Sequence, residues 1–261
     1  MRPTNTGRIA LAAALAAMAP AANAQTTAAA PSVAIEPAAM AALQGMGDYL
    51  RSIKAFQVDA VTTDEVVLDD GQKLLSDGSV RVLAQMPTRL MGTVSNDRHD
   101  RLYLYDGKTF TLFAKRLNYY ATIQAPPTIG ELADKLDKDF AFTVPLEDLF
   151  RWGGPHWTPE GITGAMVVGP SDVLDTTCEQ YAFRQADIDW QIWIQKGDHP
   201  LPRKLVITTR TDEARPQYTA VYTWNLAPSF NAESFVFNPP PGAGKVVLAD
   251  VKAARAAGAS K

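Results

Sequence analysis

A chain of 261 residues that is 46% hydrophobic and 20% charged has enough apolar material for one substantial core. Its formal charge of -3 and pI near 5.6 leave no excess of Lys and Arg to neutralise phosphates, which sets nucleic-acid binding aside. The lone cysteine, Cys178, has no partner for an intramolecular disulfide, and its surroundings in sequence offer neither the base nor the positive charge of a catalytic thiol. It is expected as a buried strand residue.

Arg2 and Arg8 precede an Ala/Leu/Met run from Ile9 to Ala22, and Ala22-Asn23-Ala24 supplies the small residues a signal peptidase reads. Residues 1–24 are therefore expected to be a signal peptide, with the mature chain starting at Gln25 in the periplasm. No later stretch is long and apolar enough to span a bilayer, and no Cys follows the run to carry a lipid anchor. Residues 25–37, rich in Ala, Thr and Pro, are expected to form a flexible linker.

From Ala38 to Ile53, Met40, Leu43, Met46, Tyr49, Leu50 and Ile53 recur at spacings of three and four, which predicts an amphipathic helix. A strand series follows: Ala55–Leu68, Leu74–Gln85, Arg89–Asn96, Arg101–Tyr105, Thr109–Ala114 and Asn118–Ile123. Turn signals mark the breaks at Asp69-Asp70-Gly71, Ser76-Asp77-Gly78, Met86-Pro87 and Asp106-Gly107. The clearest is Asp106-Gly107 between two alternating runs, where the turn residues supply the positive backbone dihedrals of a tight hairpin. Thr128 is placed to cap a helix carrying Ile129, Leu132, Leu136 and Phe140 on one side, and a second short helix is expected from Pro145 to Trp152. A second strand series runs through Gly164–Val168, Thr177–Arg184, Asp189–Gln195, Arg203–Arg210, Gln217–Leu226 and Phe235–Phe237. One domain over 38–247 and a loose tail over 248–261 complete the organisation.

Strands, helices, strands with short turns predict a mainly β, α+β fold: a curved antiparallel half-barrel sheet whose concave face is covered by the helices. Tyr103, Tyr105, Phe110, Leu112, Trp190, Ile192, Tyr222 and Trp224 make one face of that sheet heavily hydrophobic. Two readings of that face stand side by side. It is core sealed by the helices, or the curled sheet keeps residual apolar space whose wall these residues form around a ligand.

Several segments resemble a known family. Val80 to Leu90, with its strand break at Pro87, the Leu102 to Phe113 hairpin and Phe235 to Gly242 resemble the periplasmic lipoprotein carrier and receptor (LolA/LolB-like) superfamily. More narrowly, Asp189-Trp190-Gln191-Ile192-Trp193-Ile194 followed by Gly197-Asp198-His199-Pro200-Leu201-Pro202-Arg203-Lys204 looks like the predicted periplasmic family called domain of unknown function 2092. The resemblance covers roughly Ala38 to Val247. It implies a half-barrel around helices with an apolar cavity for acyl chains, hence non-enzymatic binding of a lipid, an acyl chain or a lipidated protein. Carriers of the superfamily usually place an Arg immediately before the Pro of the strand break, where this chain has Met86. Arg89, together with Arg203 and Lys204 after the stiff Pro200-Leu201-Pro202 entry, are the candidate rim charges.

No catalytic constellation emerges. The three histidines, His99, His156 and His199, have no metal-ligand spacing, and the Asp97, His99 and Asp100 cluster reads as a polar turn ahead of a divalent-ion site. No cofactor and no metal are expected. The rival function is an envelope interaction or sensing module with a closed core and a protein partner. Trp193 motivates it, because alternation with Trp190, Ile192 and Ile194 turns it to the opposite face of the sheet, where exposure would make it a contact.

Overall fold

The computed structural model describes residues 34–154 and 161–248. The expected signal peptide, residues 25–33 of the expected linker, all of the expected tail except Leu248, and His156 lie outside the described residues.

Helix α1 (Pro37–Ser52) opens the fold with Ala39, Leu43, Met46, Gly47 and Leu50 on its buried stripe. The first strand series is β1 (Ala55–Val67), β2 (Lys73–Gln85), β3 (Arg89–Asn96), β4 (Asp100–Tyr105), β5 (Thr109–Ala114) and β6 (Tyr119–Gln124). Helices α2 (Ile129–Phe140) and α3 (Asp148–Arg151) precede the second series, β7 (Gly164–Val173), β8 (Thr176–Arg184), β9 (Ile188–Gln195), β10 (Pro202–Thr209) and β11 (Gln217–Asn225). A two-residue strand, β12 (Gly244–Lys245), ends it.

Each series is an antiparallel meander, and β1 joins the two by pairing with β11 over Gln57–Asp64 and Tyr218–Asn225. Among the described residues the result is a twelve-stranded open sheet in the order β12-β6-β5-β4-β3-β2-β1-β11-β10-β9-β8-β7, antiparallel except where β12 runs parallel to β6. The half-barrel read from the sequence is the observed fold. Its topology also explains the helices: β6 and β7 stand near opposite edges, so the chain between them crosses the concave face and carries α2 and α3 over it.

Alternation sorts the side chains. Phe56, Val58, Ala60, Val82, Leu90, Phe183, Ile192, Leu205 and Tyr222 face the helices and share one core with Leu43, Met46, Ile129, Leu132 and Leu136. A second, small cluster on the outer face joins Val173, Cys178, Trp193 and Val206. Cys178 is a fully buried strand residue, as its sequence context predicted.

The hairpin and the cap are present, with one adjustment. Only Gly107 takes a positive φ, +93°; Asp106 acts through its side chain, which accepts from the backbone N–H groups of Lys108 at 2.8 Å and Thr109 at 2.7 Å. Thr128 forms a reciprocal capping box with Glu131, satisfying donors at both positions.

Four expectations are corrected. Ser76-Asp77-Gly78 is no break: β2 runs straight through it, and Gly78 is small because a Cβ would lie 2.9 Å from the Thr62 hydroxyl oxygen and 3.2 Å from the Ser95 carbonyl oxygen. The second short helix spans only Asp148–Arg151, since Leu146 before it takes φ 53°, outside helical space. Phe235–Phe237 is not a strand; a 3-10 turn over Ala232–Phe235 buries Phe235, and Pro239-Pro240-Pro241 just beyond supplies no backbone donors for a ladder. At the other end, Ile35 and Glu36, placed in the linker by composition, are tied to β7: Ile35 bridges Ala165 and the Glu36 N–H donates to the Ala165 carbonyl at 2.9 Å. No helix among the described residues is long and apolar enough to cross a membrane.

Candidate ligand cavity

The two halves of the concave face are filled differently. Over β4 and β5, Tyr103, Tyr105 and Phe110 are at most 4% exposed. Phe142, just beyond α2, stacks on Tyr103 at 5.7 Å and tilts onto Phe110 at 6.3 Å between ring centroids, so this half is closed core. The Tyr105 hydroxyl donates to the Pro126 carbonyl, and the Ile129 N–H donates to the Pro87 carbonyl at 2.9 Å, which pins the start of α2 to the β2–β3 turn.

Over β9 and β10 a cavity of about 770 Å³ remains. Its floor is Ile188 and Trp190 of β9 with Leu205 and Ile207 of β10, brought side by side by the register that pairs Trp190 with Ile207 and Ile192 with Leu205. Ile53 at the end of α1, Met86 and Pro87 of the β2–β3 turn, and Phe150 and Trp152 around α3 supply further apolar wall. The polar lining comes mostly from the helices: Arg51, Lys54, Glu131, Asp134, Asp148 and Arg151. Arg151 is held by Glu147 and, at 3.0 Å, by Asp134.

Glycine sets the approach of α1 to this wall. Gly153 takes φ +65°, and a Cβ there would fall 1.7 Å from Arg51 Nη1, while Arg51 donates to the Trp152 carbonyl at 3.2 Å. Gly47 meets the same segment from α1, its Cβ position 3.0 Å from the Gly153 nitrogen.

A smaller cavity of about 300 Å³ adjoins the first through Asp148, Arg151 and Leu205, which line both, and adds Tyr218 and Tyr222 of β11. Asp148 is exposed on this space at the rim of α3, where desolvation, with Glu147 adding and Arg151 opposing, pushes its carboxyl up to about 6. Desolvation, then the Asp148 and Asp64 charges, pushes the Tyr218 hydroxyl up to about 12, and desolvation with Tyr218 and Asp148 drives Tyr222 well above the usual phenol range.

Of the eight wall residues named from sequence, Trp190 lines the larger cavity and Tyr222 the smaller. Tyr103, Tyr105, Phe110 and Ile192 are core. Leu112 is half-buried against that core, and Trp224 packs on Phe56 at 5.2 Å and donates to the Pro202 carbonyl at 2.8 Å. None of the three rim cations lines either cavity. Arg89 donates to Gln85 at 3.3 Å beside the β2–β3 turn. The β-bulge between Pro202 and Lys204 turns Arg203 to Gln195, at 2.9 Å, and sets Lys204 over the Trp193 ring at 4.7 Å, both on the outer face. Trp193 faces outward as alternation requires, yet is only 9% exposed: Val173, Val206 and Lys204 cover it and its N–H donates to Ser171 at 3.1 Å.

Ile53, Met86, Phe150, Trp152, Ile188, Leu205, Ile207 and Asp148 were missed by sequence reasoning. The alternation of Ile188 with Trp190, and of Leu205 with Ile207, was the available signal. The Asp97 to Asp100 turn is built by Asn96, whose side chain accepts from the N–H groups of Arg98 and His99, and Asp100 pairs with Lys115 at 3.1 Å. Among the described residues no group of three His, Cys, Asp or Glu is arranged to hold a metal ion.

Solved structures of similar fold include an uncharacterized conserved protein from Thermus thermophilus, at 10% identity and TM-score 0.47 over 78% of this chain and 98% of that one. LprF from Mycobacterium bovis has 13% identity and TM-score 0.43 over 80% and 99%. A LolA superfamily protein from Nitrosomonas europaea has 10% identity and TM-score 0.39 over 76% and 97%. Among curated proteins none matches significantly. Residues 39–249 match the family model described as a predicted periplasmic protein, DUF2092, a span that runs from within α1 through β12. The chain belongs to this DUF2092 family of predicted periplasmic proteins, which places it in the periplasm.

Proposed function

We propose that the protein binds an acyl chain, of a lipid or of a lipidated protein, in the larger cavity without catalysing a reaction. The observation that carries this reading is the cavity itself: about 770 Å³ of unfilled space floored by Ile188, Trp190, Leu205 and Ile207, within the range of small-molecule sites. The space is a half-open cleft whose apolar floor stays uncovered because its neighbours do not collapse over it. Here β9 and β10 are held by their ladders and the helices by the chain crossing. Each buried methylene contributes about 0.8 kcal/mol, so a chain of about 15 carbons brings on the order of 12 kcal/mol, enough to exceed the cost of immobilising the ligand. The sequence resemblance to lipoprotein carriers implies the same chemistry. The outer-surface alternative draws no support from Trp193, which is covered.

The test is native mass spectrometry of the protein purified from periplasm, followed by solvent extraction. A bound species that the extract identifies as acyl-bearing supports the reading. Protein that carries nothing and takes up no fluorescent fatty acid overturns it.

A further inference from the structure

Besides the Trp190 indole N–H, three polar groups that line the smaller cavity have no hydrogen-bond or ion-pair partner among the described residues. The Asp148 carboxylate makes no hydrogen bond or ion pair among the described residues, and the same holds for the hydroxyls of Tyr218 and Tyr222. Tyr222 is only 2% exposed, so its hydroxyl is enclosed by protein and cavity. All three line the smaller cavity, and the Asp148 charge acts on both phenols. Tyr222 is the most enclosed of the three and Asp148 is exposed on the cavity, so a ligand entering it meets acceptors that no described residue occupies.

Charge around the cluster selects the partner. Glu147 stands just before α3 and Arg151 on it, Asp134 on α2, and Asp64, whose charge reaches Tyr218, on β1. In the smaller cavity itself two carboxylates, Glu147 and Asp148, stand against one guanidinium, and Arg151 is already engaged by Glu147 and Asp134; Arg51, Lys54 and Glu131 lie in the larger cavity. A carboxylate or phosphate headgroup would meet like charge here. An alkylammonium fits: it offers three donors and no acceptor, against one carboxylate and two phenolic oxygens that all accept. Asp148, Arg151 and Leu205 open the same space to the larger cavity, which receives the tail.

We propose that the preferred occupant is an amphiphile with a cationic amino headgroup, seated against Asp148, Tyr218 and Tyr222 with its chain along Leu205 into the larger cavity. This rests on the acyl-chain reading above and adds the headgroup to it.

The test compares dodecylamine, dodecanol and dodecanoate by isothermal titration calorimetry on the full chain. At about pH 8 the amine is expected to bind roughly tenfold or more tightly than the alcohol, the difference a charge-assisted hydrogen bond makes. Asp148→Asn is expected to abolish that preference and Tyr222→Phe to reduce it. In the unaltered chain the preference is expected to shrink towards pH 5, since the Asp148 carboxyl, held near 6, takes up a proton while the amine stays charged. The pH series discriminates without any variant. Equal binding of amine and alcohol, or an amine preference that Asp148→Asn and low pH leave intact, overturns the headgroup assignment and leaves the chain site standing. Failure of all three to bind overturns both.

Discussion

Trp190 stacks on Phe183 across adjacent strands, ring centroids 4.2 Å apart and planes inclined by 19°, while its indole N–H, buried on the cavity floor, has no hydrogen-bond partner among the described residues. Area and polarity separate at this position. Trp190→Ala is expected to cost about 3–5 kcal/mol in urea unfolding by removing the stacked ring and enlarging the void. Trp190→Phe is expected to cost about 1 kcal/mol or less, because the donor it deletes bonds to nothing. Comparable losses from both substitutions would show that the indole N–H is satisfied.

The contact between α1 and the segment after α3 depends on Gly153. Its positive φ strains any L side chain, and a methyl group would also push aside the Arg51 guanidinium, so Gly153→Ala is expected to destabilise by about 1–3 kcal/mol. Gly45, on the exposed side of α1 with nothing within 4 Å of its Cβ position, behaves oppositely, and Gly45→Ala is expected to stabilise by about 0.5–1 kcal/mol. Thermal unfolding of the two variants checks the contrast; the same sign for both would contradict it.

Thr128 caps the helix that lines one side of the larger cavity. Thr128→Ala leaves the first turn of α2 with unsatisfied donors and is expected to cost about 1 kcal/mol. Hydrogen exchange should locate the loss, with faster exchange at Glu131 and Leu132 and unchanged protection in β9 and β10.

Asp148 makes stability fall with rising pH. Its carboxyl sits at about 6 in the folded chain against an ordinary 3.8, so the folded state holds the proton more tightly. The penalty is absent below about pH 4, develops as pH rises through 6 and is complete above it. Since Asp148 opens onto the cavity, solvent screens it, and Asp148→Asn is expected to gain only about 1 kcal/mol near neutral pH and nothing near pH 4. Urea titrations at both pH values test the sign; a variant less stable than the parent at neutral pH would mean that the carboxylate has a partner in solution.

What could be read in advance follows a physical division. Period-two alternation and the cap at Thr128 are local, so the strands, α1 and α2 were legible, as was the half-barrel. The placement of Phe142 is not local. It plugs the half of the concavity over Tyr103 and Phe110, which leaves the cavity over β9 and β10, and nothing near those aromatic residues in sequence announces it. Asp148 escaped notice for the same reason, since its neighbours Tyr218 and Tyr222 arrive from the far end of the chain. The outward turn of Arg203 and Lys204 depends on one β-bulge, which alternation cannot foresee.

The central claim, an acyl chain lying along Ile188, Trp190, Leu205 and Ile207, is tested most directly by binding a series of fatty alcohols of increasing length to the full chain and to Ile207→Trp. Affinity is expected to rise about fourfold per methylene, the equivalent of about 0.8 kcal/mol, until the cavity is full, and the bulkier indole of Ile207→Trp is expected to lower the affinity of the longest chains at least tenfold while the protein stays folded. Affinity independent of chain length, or a folded Ile207→Trp that binds as the parent does, would contradict it.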